Sequence, residues 1–313
     1  MIRARITGTG SYAPERVMTN ADLEKLVATS DEWIRERTGI RERRIAAEGQ
    51  ACSDLGLIAA ERALKAAGIS ADELDMILLA TCTGDMPLPS TACLLQHRLG
   101  ATRAAACDVS AACCGFVYAL GVADVGSEVM STITDWTDRN TCILFGDGAG
   151  AAVVSASEGE RGVLSTHLHS DGSLSDLIVV PGGGTRIPPS EAMVSERSQY
   201  IKMKGNETFK VAVRTLEEVA RETLAAHHLS VDELDVYIPH QANLRIIKAV
   251  ADRLNLPLEK VVLNMDRYGN TSAASIPIAL DEAVRDGRVK EGQLVMFGAF
   301  GAGLTWASAL VRW

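Results

Sequence analysis

The sequence has 313 residues, with 31 Lys and Arg against 40 Asp and Glu, so its formal net charge is −9. This acidic balance argues against a nucleic-acid-binding protein, which needs a broad basic surface to neutralise phosphates, and the apolar runs are too short to cross a bilayer. The seven cysteines form no CxxC pair, so we expect reduced thiols in a cytoplasmic protein of ordinary globular composition, 47% hydrophobic and 23% charged.

The predicted elements alternate between strands and helices. In the first half they are strand Ile2–Gly8, helix Ser53–Ala67, strand Asp75–Thr81, helix Ser90–Leu99, strand Ala104–Val109 and helix Cys113–Asp124. In the second half they are helix Asn206–His228, strand Asp235–Ile238, helices Ala242–Leu254 and Ser272–Arg285, and strands Leu294–Phe297 and Thr305–Val311, after a surface loop at Pro181–Ser190. Such alternation predicts mostly parallel sheets with helices on their faces.

A repeat at an offset of 160 residues organises these elements. Ser70–Ile77 (SADELDMI) matches Ser230–Tyr237 (SVDELDVY), and each match leaves a helix and enters an apolar run typical of a buried strand. A chance match is the alternative, since a helix followed by Ser, acidic residues and a strand is a common local pattern. The offset near half the chain length favours duplication, and we place the two α/β halves at residues 1–165 and 166–313.

Cys113 is the first candidate for a catalytic group. It follows a predicted strand and a turn of small residues, and it opens a predicted helix. A thiol at a helix N-terminus faces the positive end of the helix dipole, so we expect the pKa of Cys113 to be lowered. A buried structural cysteine in an Ala-rich helix is the competing interpretation, and the adjacent Cys114 leaves the choice of nucleophile open.

His240 and Asn270 are the other two candidates. His240 lies between a buried strand and a helix, where an open α/β sheet places functional groups, and an imidazole donates to an oxyanion or exchanges a proton. Asn270 lies in a tight turn before a helix of small residues, where its amide is able to donate to a developing negative charge. A hydrogen-bonded His at a strand end and an Asn in a turn are the structural alternatives.

Two glycine-rich segments accompany these candidates. Phe145–Gly150 lacks the Lys-Ser/Thr of a P-loop and no helix is predicted after it, whereas Phe297–Gly303 joins two predicted strands and offers backbone N–H groups for an oxyanion hole. Tight strand connections that require Gly explain both segments equally well. Taken together, however, one Cys, one His and one Asn at the ends of strands and helices fit thioester chemistry on a carbonyl.

These motifs resemble those of the β-ketoacyl-acyl-carrier-protein synthase III family, condensing enzymes of the thiolase-like superfamily. The resemblance runs from Gly8-Thr-Gly-Ser-Tyr to Ala309-Leu-Val-Arg-Trp, and its specific motifs are Ala-Ala-Cys113-Cys-Gly-Phe, Pro-His240-Gln-Ala-Asn-Leu-Arg, Gly-Asn270-Thr-Ser-Ala-Ala-Ser and Phe-Gly-Asp-Gly-Ala-Gly. In the family the nucleophile precedes one residue and then Gly-Phe, which selects Cys113. The resemblance implies a thiolase-like duplicated α/β fold, in which two pseudo-repeated mixed sheets pack in αβαβα layers.

The resemblance also implies a ping-pong acyltransferase mechanism. Cys113 takes an acyl group from acyl-CoA, acetyl or somewhat longer, with the N–H groups of Cys113 and Ala302 as oxyanion hole; the family often has Gly where this sequence has Ala302. Malonyl-acyl carrier protein follows, and His240 and Asn270 stabilise the enolate formed as CO₂ leaves. The 3-oxoacyl product starts fatty acid biosynthesis, and no metal or redox cofactor is needed.

Further roles follow from the resemblance and from charge. The resemblance implies CoA binding by Trp33, Arg37, Arg139, Asn206 and Phe209. Because the carrier protein is acidic, we predict that a local basic patch contacts it, formed by the helix neighbours Lys210 and Arg214 and by Arg245 and Lys248, together with Gln241. The resemblance assigns Leu88 and Phe300 to the acyl pocket of a homodimer, where an aliphatic gate at Leu88 is expected to admit starters longer than acetyl. A core anchor for Trp33 and a solvated surface for the charged residues are the competing interpretations.

One departure from the family follows Asp124. The family continues its helix there and adds a turn and most of a core strand before Gly126, whereas here Asp124 meets Val125 directly. Roughly a dozen residues are absent, and losing a central strand leaves its neighbours unpaired, so we expect residues to have been omitted; a real deletion predicts impaired activity or folding. A thiolase-fold acyltransferase or specialised-metabolite synthase with the same three residues, and a non-catalytic carrier-protein binder, stay open as alternatives.

Overall fold

The computed structural model describes residues 2–120 and 124–313. Its strands are β1 Ile2–Tyr12, β2 Arg16–Thr19, β3 Glu42–Ile45, β4 Met76–Ala80, β5 Ala105–Val109, β6 Asp124–Val129, β7 Asp147–Glu158, β8 Gly162–Ser170, β9 Ile178–Val179, β10 Lys202–Met203, β11 Val236–Pro239, β12 Leu294–Gly301 and β13 Thr305–Arg312. Its α-helices are α1 Asn20–Leu23, α2 Asp31–Thr38, α3 Cys52–Ala67, α4 Thr91–Leu99, α5 Gly115–Ala119, α6 Arg139–Cys142, α7 Glu191–Ser195, α8 Gly205–Ala226, α9 Leu244–Leu254, α10 Met265–Tyr268 and α11 Ser275–Arg285.

The chain builds two large sheets, and β8, which spans the predicted boundary at residues 165/166, belongs to the second sheet. The first has the strand order β1-β7-β6-β4-β5 and the second has the order β11-β12-β13-β8. Strand β4 runs parallel to β5 and β6, and β11 runs parallel to β12, while the remaining neighbours are antiparallel. Both sheets are therefore mixed, as the resemblance implies. The mostly parallel sheets expected from alternation alone are wrong, because β7 and β13 run opposite to the strands on both of their sides.

The helices form three layers around the two sheets. Helix α3 packs on β1, β6 and β7 of the first sheet, and α8 packs on β8, β12 and β13 of the second. Helices α5 and α11 lie between the sheets, since α5 contacts strands of both and α11 contacts β1 and β7 as well as β11. This αβαβα arrangement confirms the predicted fold class. It also places the N-termini of α5 and α11 in the middle of the molecule.

The offset of 160 residues extends well beyond the matching octapeptides. It relates two pairs of 3-10 turns, Ala71–Glu73 with Val231–Glu233 and Ala112–Cys114 with Ser272–Ala274, and it relates the first residues of α5 and α11. The octapeptides themselves begin with equivalent caps, because the N–H of Ser70 donates to Glu73 (2.9 Å) and the N–H of Ser230 to Glu233 (2.8 Å). The same local sequence thus produces the same local structure in both halves.

The region around Asp124 differs from the prediction. The predicted helix Cys113–Asp124 is a 3-10 turn at Ala112–Cys114 followed by the short α5; residues 121–123 of that prediction lie outside the described residues, and Asp124 begins β6. The predicted loss of a central strand is wrong, because β6 lies between β7 and β4. Backbone groups in the middle of a sheet need partners, and the segment predicted to follow the strand supplies them.

Candidate active site

A cavity of about 980 Å³ brings the three predicted catalytic residues together. Cys113, His240 and Asn270 all line it, although they are distant in sequence. Of the other residues singled out in the sequence, its lining includes Trp33, Arg37, Asn206, Phe209, Arg245, Phe300 and Ala302. Both halves of the chain therefore contribute to one site.

Cys113 lies in the 3-10 turn that leads into α5. The turn begins at Ala112 in the left-handed region, with φ 45°, which turns the half-buried Cys113 towards the cavity, while Cys114 is fully buried in the core. A Cβ on Gly301 would lie only 2.8 Å from the Cys113 nitrogen. Only glycine therefore allows the end of β12 to approach this closely, and Ala302, the next residue, also lines the cavity.

The electrostatics of Cys113 differ from the expectation. Burial raises the pKa of the Cys113 thiol to about 12, and the nearby Glu128 carboxyl acts in the same direction. The expected lowering of the pKa is wrong, because the loss of solvation on burial is the largest influence on this thiol and outweighs the neighbouring Ser272 side chain, which lowers the pKa. The resting thiol is accordingly protonated at neutral pH.

His240 directly follows β11 and is held at both its backbone and its ring. Its N–H donates to the Gly298 carbonyl on β12 (2.8 Å), and its Nδ1 lies 2.6 Å from the Ser275 hydroxyl oxygen at the start of α11. Burial lowers the pKa of His240 to about 3. The imidazole is thus neutral at neutral pH and offers hydrogen bonds rather than a positive charge.

Asn270 presents its amide with a defined orientation. Its Oδ1 accepts the Ser272 N–H (2.9 Å), and its own N–H donates to the Leu144 carbonyl (2.8 Å). Because the amide oxygen is occupied, the Nδ2 group is the part left to donate into the cavity. Gly146, in the glycine-rich segment Phe145–Gly150, supports this turn: it donates its N–H to the Asn270 carbonyl (3.1 Å), and a Cβ at Gly146 would collide with the Tyr268 carbonyl.

An aromatic and cationic group lies at one end of the cavity. The guanidinium carbons of Arg37 and Arg139 lie 4.6 and 4.7 Å from the centre of the Trp33 ring, although Arg139 itself is outside the lining. On the neighbouring surface, the guanidinium of Arg245 on α9 lies 5.5 Å from the ring centre of Phe209 on α8. These contacts bring α2, α6, α8 and α9 together around the predicted CoA residues.

The residues predicted to contact a carrier protein divide into two groups. Lys210 and Arg214 on α8, and Arg245 and Lys248 on α9, are exposed. Gln241 is only 1% exposed, and its side chain donates to the Pro239 and Val262 carbonyls (2.7 and 3.0 Å). A direct contact of Gln241 with a carrier protein is therefore wrong, since this side chain is used inside the protein to hold the segment around His240.

The two acyl-pocket candidates also lie apart. Phe300 lines the cavity and is 6% exposed, whereas Leu88 is 84% exposed and lies outside the lining. Within one chain, Leu88 therefore projects from the segment between β4 and α4 into solvent.

Three polar residues around the predicted catalytic groups were not predicted from the sequence: Glu128 and Ser272 beside Cys113, and Ser275 beside His240. Glu128 on β6 is fully buried and accepts hydrogen bonds from the Cys82 N–H and the Thr81 hydroxyl, both at 3.1 Å, and burial raises the pKa of its carboxyl. Ser272 and Ser275 belong to the Asn270 motif but were not assigned roles. Glu128 carries no sequence signal, because an isolated acidic residue in a strand pattern predicts only a strand.

Two observations concern what the described parts of the chain lack. Within residues 2–120 and 124–313, no group of three His, Cys, Asp or Glu side chains is arranged to hold a metal ion. Over the same ranges no helix has the length and apolar character needed to span a membrane.

Comparison with known proteins gives consistent matches. Residues 224–313 match the model of the 3-oxoacyl-[acyl-carrier-protein] synthase III C-terminal domain, and residues 125–172 match a second synthase III model. A β-ketoacyl-[acyl-carrier-protein] synthase III of Xanthomonas campestris is 55% identical over 325 residues, covering 100% of this chain and 99% of the relative; one of Alkalilimnicola ehrlichii is 55% identical over 328 residues, covering 100% of both.

Solved structures agree with these sequence matches. The crystal structure of 3-oxoacyl-[acyl-carrier-protein] synthase III from Aquifex aeolicus has 49% identity and a TM-score of 0.91, with 99% of this chain and 100% of that chain covered. The priming β-ketosynthase from the R1128 polyketide pathway has 36% identity and a TM-score of 0.90, with 99% and 96% covered. The Xanthomonas match extends over 325 residues, although this chain has 313, so the alignment includes positions that this chain lacks.

Proposed function

This chain belongs to the β-ketoacyl-[acyl-carrier-protein] synthase III family, and on that premise we propose that it condenses an acyl group held on Cys113 with malonyl-acyl carrier protein. The observation that carries the proposal is the single cavity lined by Cys113, His240 and Asn270. Acyl transfer followed by carbanion formation requires a thiol and hydrogen-bond donors in one enclosed space. The 3-oxoacyl product initiates a fatty acid chain.

In the first half-reaction the Cys113 sulfur attacks the thioester carbonyl of an acyl-CoA, acetyl or somewhat longer. The N–H groups of Cys113 and Ala302 donate to the oxygen of the tetrahedral intermediate, and the close approach of Gly301 to Cys113 supports this pairing. The bond to the CoA sulfur then breaks. CoA leaves with the proton that the Cys113 thiol has lost, so the exchange of thiols is balanced.

In the second half-reaction malonyl-acyl carrier protein loses CO₂. The electron pair of the broken carbon–carbon bond forms an enolate, whose oxygen accepts hydrogen bonds from His240 and Asn270. The enolate carbon attacks the acyl carbonyl, a new carbon–carbon bond forms, and the bond to the Cys113 sulfur breaks; the thiolate takes a proton from solvent. Loss of CO₂ drives the reaction, which therefore needs no metal or redox cofactor.

The surfaces around the cavity suit the two substrates. We assign the CoA nucleotide to Trp33, Arg37 and Arg139, since a ring flanked by guanidinium groups attracts both a purine and phosphates, and the pantetheine arm to Asn206 and Phe209. For the acidic carrier protein we assign the exposed cations Lys210, Arg214, Arg245 and Lys248.

A second copy of the chain completes the acyl pocket in this proposal. Leu88 and Met86 are 84% and 45% exposed on one short segment, and such exposed apolar side chains are typical of a partner contact. We place Leu88 against the acyl pocket of the partner, opposite Phe300. We further place the enzyme in the cytoplasm, where its free cysteines stay reduced.

A specialised-metabolite synthase is the second candidate function. The 36% identity to the priming β-ketosynthase favours it, because that relative shares the fold over 99% of this chain. Residues 1–165 supply the nucleophile and residues 166–313 the two donors in either case. The two candidates differ in the starter and in the acceptor of the product rather than in the chemistry at Cys113.

The test follows both half-reactions with defined substrates. Acetyl-, butyryl- and octanoyl-CoA are incubated separately with malonyl-acyl carrier protein labelled in its free carboxyl carbon, and labelled CO₂ and 3-oxoacyl-acyl carrier protein are measured. We expect both products to require acyl-CoA and Cys113, with Cys113→Ala inactive and Cys93→Ala, at an exposed cysteine, unaffected. Acyl transfer without CO₂ release would contradict a condensing enzyme, and carrier-protein binding without either reaction would indicate a non-catalytic binder.

A further inference from the structure

We propose that Ser275 is a positioning residue that fixes the proton of His240 on Nε2, so that the imidazole acts in condensation as a hydrogen-bond donor. This proposal rests on the proposed function. The proposal begins from a buried contact between His240 and a residue that does not itself touch substrate. Ser275, the first residue of α11, is 2% exposed, and its hydroxyl oxygen lies 2.6 Å from His240 Nδ1.

The direction of this hydrogen bond follows from the acceptors available to the Ser275 hydroxyl hydrogen. The Gln241 N–H donates to the same Ser275 oxygen at 3.3 Å. A hydroxyl has one hydrogen, and Nδ1 of a neutral imidazole accepts it when the ring carries its proton on Nε2. In the reverse arrangement Nδ1–H would donate to Ser275, and the hydroxyl hydrogen would have no acceptor among the hydrogen bonds of the described residues.

The surroundings of His240 leave the ring little freedom. The His240 N–H is bound to Gly298, and the Gln241 side chain ties the same segment to Pro239 and Val262. The only hydroxyl that contacts Nδ1, within residues 2–120 and 124–313, is that of Ser275. Since the imidazole is buried and neutral, its effect on a developing oxyanion depends on which ring nitrogen carries the proton.

The first half of the molecule contains the equivalent contact without the polar groups. The offset of 160 residues relates His240 to Ala80 and Ser275 to Gly115, and these two also pack closely, because a Cβ on Gly115 would lie 2.7 Å from the Ala80 Cβ. The contact between strand end and inner helix is thus a property of the fold. The serine hydroxyl is an addition in the half that carries the histidine, which indicates a role beyond packing.

The experiment compares Ser275→Ala with Ser308→Ala, which removes another fully buried serine hydroxyl in the same half but away from the cavity. We expect Ser275→Ala to lower the rate of condensation about 10- to 100-fold, because the proton redistributes between the ring nitrogens. Acyl transfer from acyl-CoA to Cys113 should change less than about threefold, since it uses backbone donors. Ser308→Ala should leave both rates near those of the unchanged protein.

A second readout does not depend on activity. Nitrogen-15 NMR of histidine-labelled protein distinguishes the two neutral tautomers, and the His240 signal is assigned by its loss in His240→Ala. We expect Nε2–H in the unchanged protein and a mixture of tautomers in Ser275→Ala. A proton on Nδ1 in the unchanged protein, or equal losses in both half-reactions in folded Ser275→Ala, would overturn the proposal. If the protein shows the Nε2–H signal but performs no condensation, the assignment of the His240 proton to Nε2 stands. That result contradicts the proposed function and not the role of Ser275 in fixing the tautomer.

Discussion

The turns Ala112–Cys114 and Ser272–Ala274 show how a duplicated fold divides one reaction between its halves. Both are 3-10 turns that begin with a residue in the left-handed region, at φ 45° for Ala112 and 49° for Ser272, and both lead into an inner helix. At the offset of 160 residues, Cys113 corresponds to Ala273. The same backbone therefore presents the proposed nucleophile in one half, while the other half uses its turn to orient the Asn270 amide.

The two halves diverge after these turns. Helix α11 has eleven residues, and β12 pairs with β11 at four positions, from Val236 with Val295 to Pro239 with Gly298. Helix α5 has five residues, and in the described part of the chain β6 pairs with β4 at two positions, Leu79 with Val125 and Ala80 with Gly126. The two halves thus differ in the helix and strand beyond the turn, while both keep a 3-10 turn at the equivalent position.

The largest expected effect is a loss of condensation, without a matching loss of acylation, when one of the two proposed hydrogen-bond donors is removed. His240→Ala and Asn270→Ala should each lower condensation about 10²- to 10³-fold, because each removes one donor to the enolate oxygen. Acylation of Cys113 should stay within a few-fold of the unchanged protein. Rapid-quench measurement of the two half-reactions checks this division. A matched loss of acylation in both variants would contradict the assignment of the donors to the second half-reaction.

A smaller effect is expected at the glycine that approaches Cys113. Gly301→Ala places a Cβ 2.8 Å from the Cys113 nitrogen, so the oxyanion hole must shift, and we expect acylation to slow about 10²-fold. Gly172→Ala is the control, because a Cβ there meets no atom within 4 Å. Single-turnover acylation by acetyl-CoA measures both. An unaffected Gly301→Ala variant would show that this approach does not shape the oxyanion hole.

The pH dependence of Cys113 tests whether burial outweighs the helix terminus. Because burial raises the pKa of the Cys113 thiol to about 12, its thiolate fraction rises tenfold per pH unit below that value. Alkylation by iodoacetamide should therefore accelerate about 100-fold between about pH 7 and 9, and His240, with a pKa of about 3, adds no inflection there. Peptide mapping of Cys113, with Cys113→Ala as blank, gives the rates. If the alkylation rate reached a plateau in this range, the pKa of Cys113 would lie within or below it, and the effect of the helix N-terminus would outweigh that of burial.

The smallest expected effect comes from reversing a single surface charge, which we compare between the two halves of the chain. Arg245→Glu on α9 should weaken the reaction with malonyl-acyl carrier protein about tenfold, because it reverses a charge on the surface that we assign to this acidic partner. Lys65→Glu, an equally exposed reversal on α3 of the first half, serves as the control. Steady-state kinetics with varied carrier protein and saturating acyl-CoA measures the difference. If Arg245→Glu and Lys65→Glu changed the reaction with the carrier protein equally, the assignment of the carrier-protein surface to α9 would be wrong.

Much of the fold was predictable because local signals agree with it. Helix α3 and strand β4 were predicted to within one residue at either end, since α3 has Asp54 in its first turn and Gly68 at its C-cap, and β4 is a continuous apolar run. The wrong predictions concern segments whose structure depends on tertiary contacts. Strand β6 forms from residues without a clear strand pattern. Gln241 is polar and close to the site, yet contacts with segments distant in sequence bury it.

The side chains of the candidate site could be predicted from the sequence, but their burial and their contacts could not. The motifs identified Cys113, His240 and Asn270, but the direction of the Cys113 pKa depends on burial in a cavity that only the folded chain forms. Ser275 lies within a recognised motif, and its role emerges only from the 2.6 Å contact with a ring 35 residues away.

Intact-mass analysis with peptide mapping, after separate incubation with acetyl-, butyryl- and octanoyl-CoA, tests most directly whether the thiol of the first half is the acyl acceptor. We predict one acyl group per chain, carried by the peptide that contains Cys113 and discharged when malonyl-acyl carrier protein is added. The preferred starter then reports on the pocket expected at Leu88. An adduct on another cysteine, or none from any of the three donors, would contradict the assignment of Cys113 as the nucleophile.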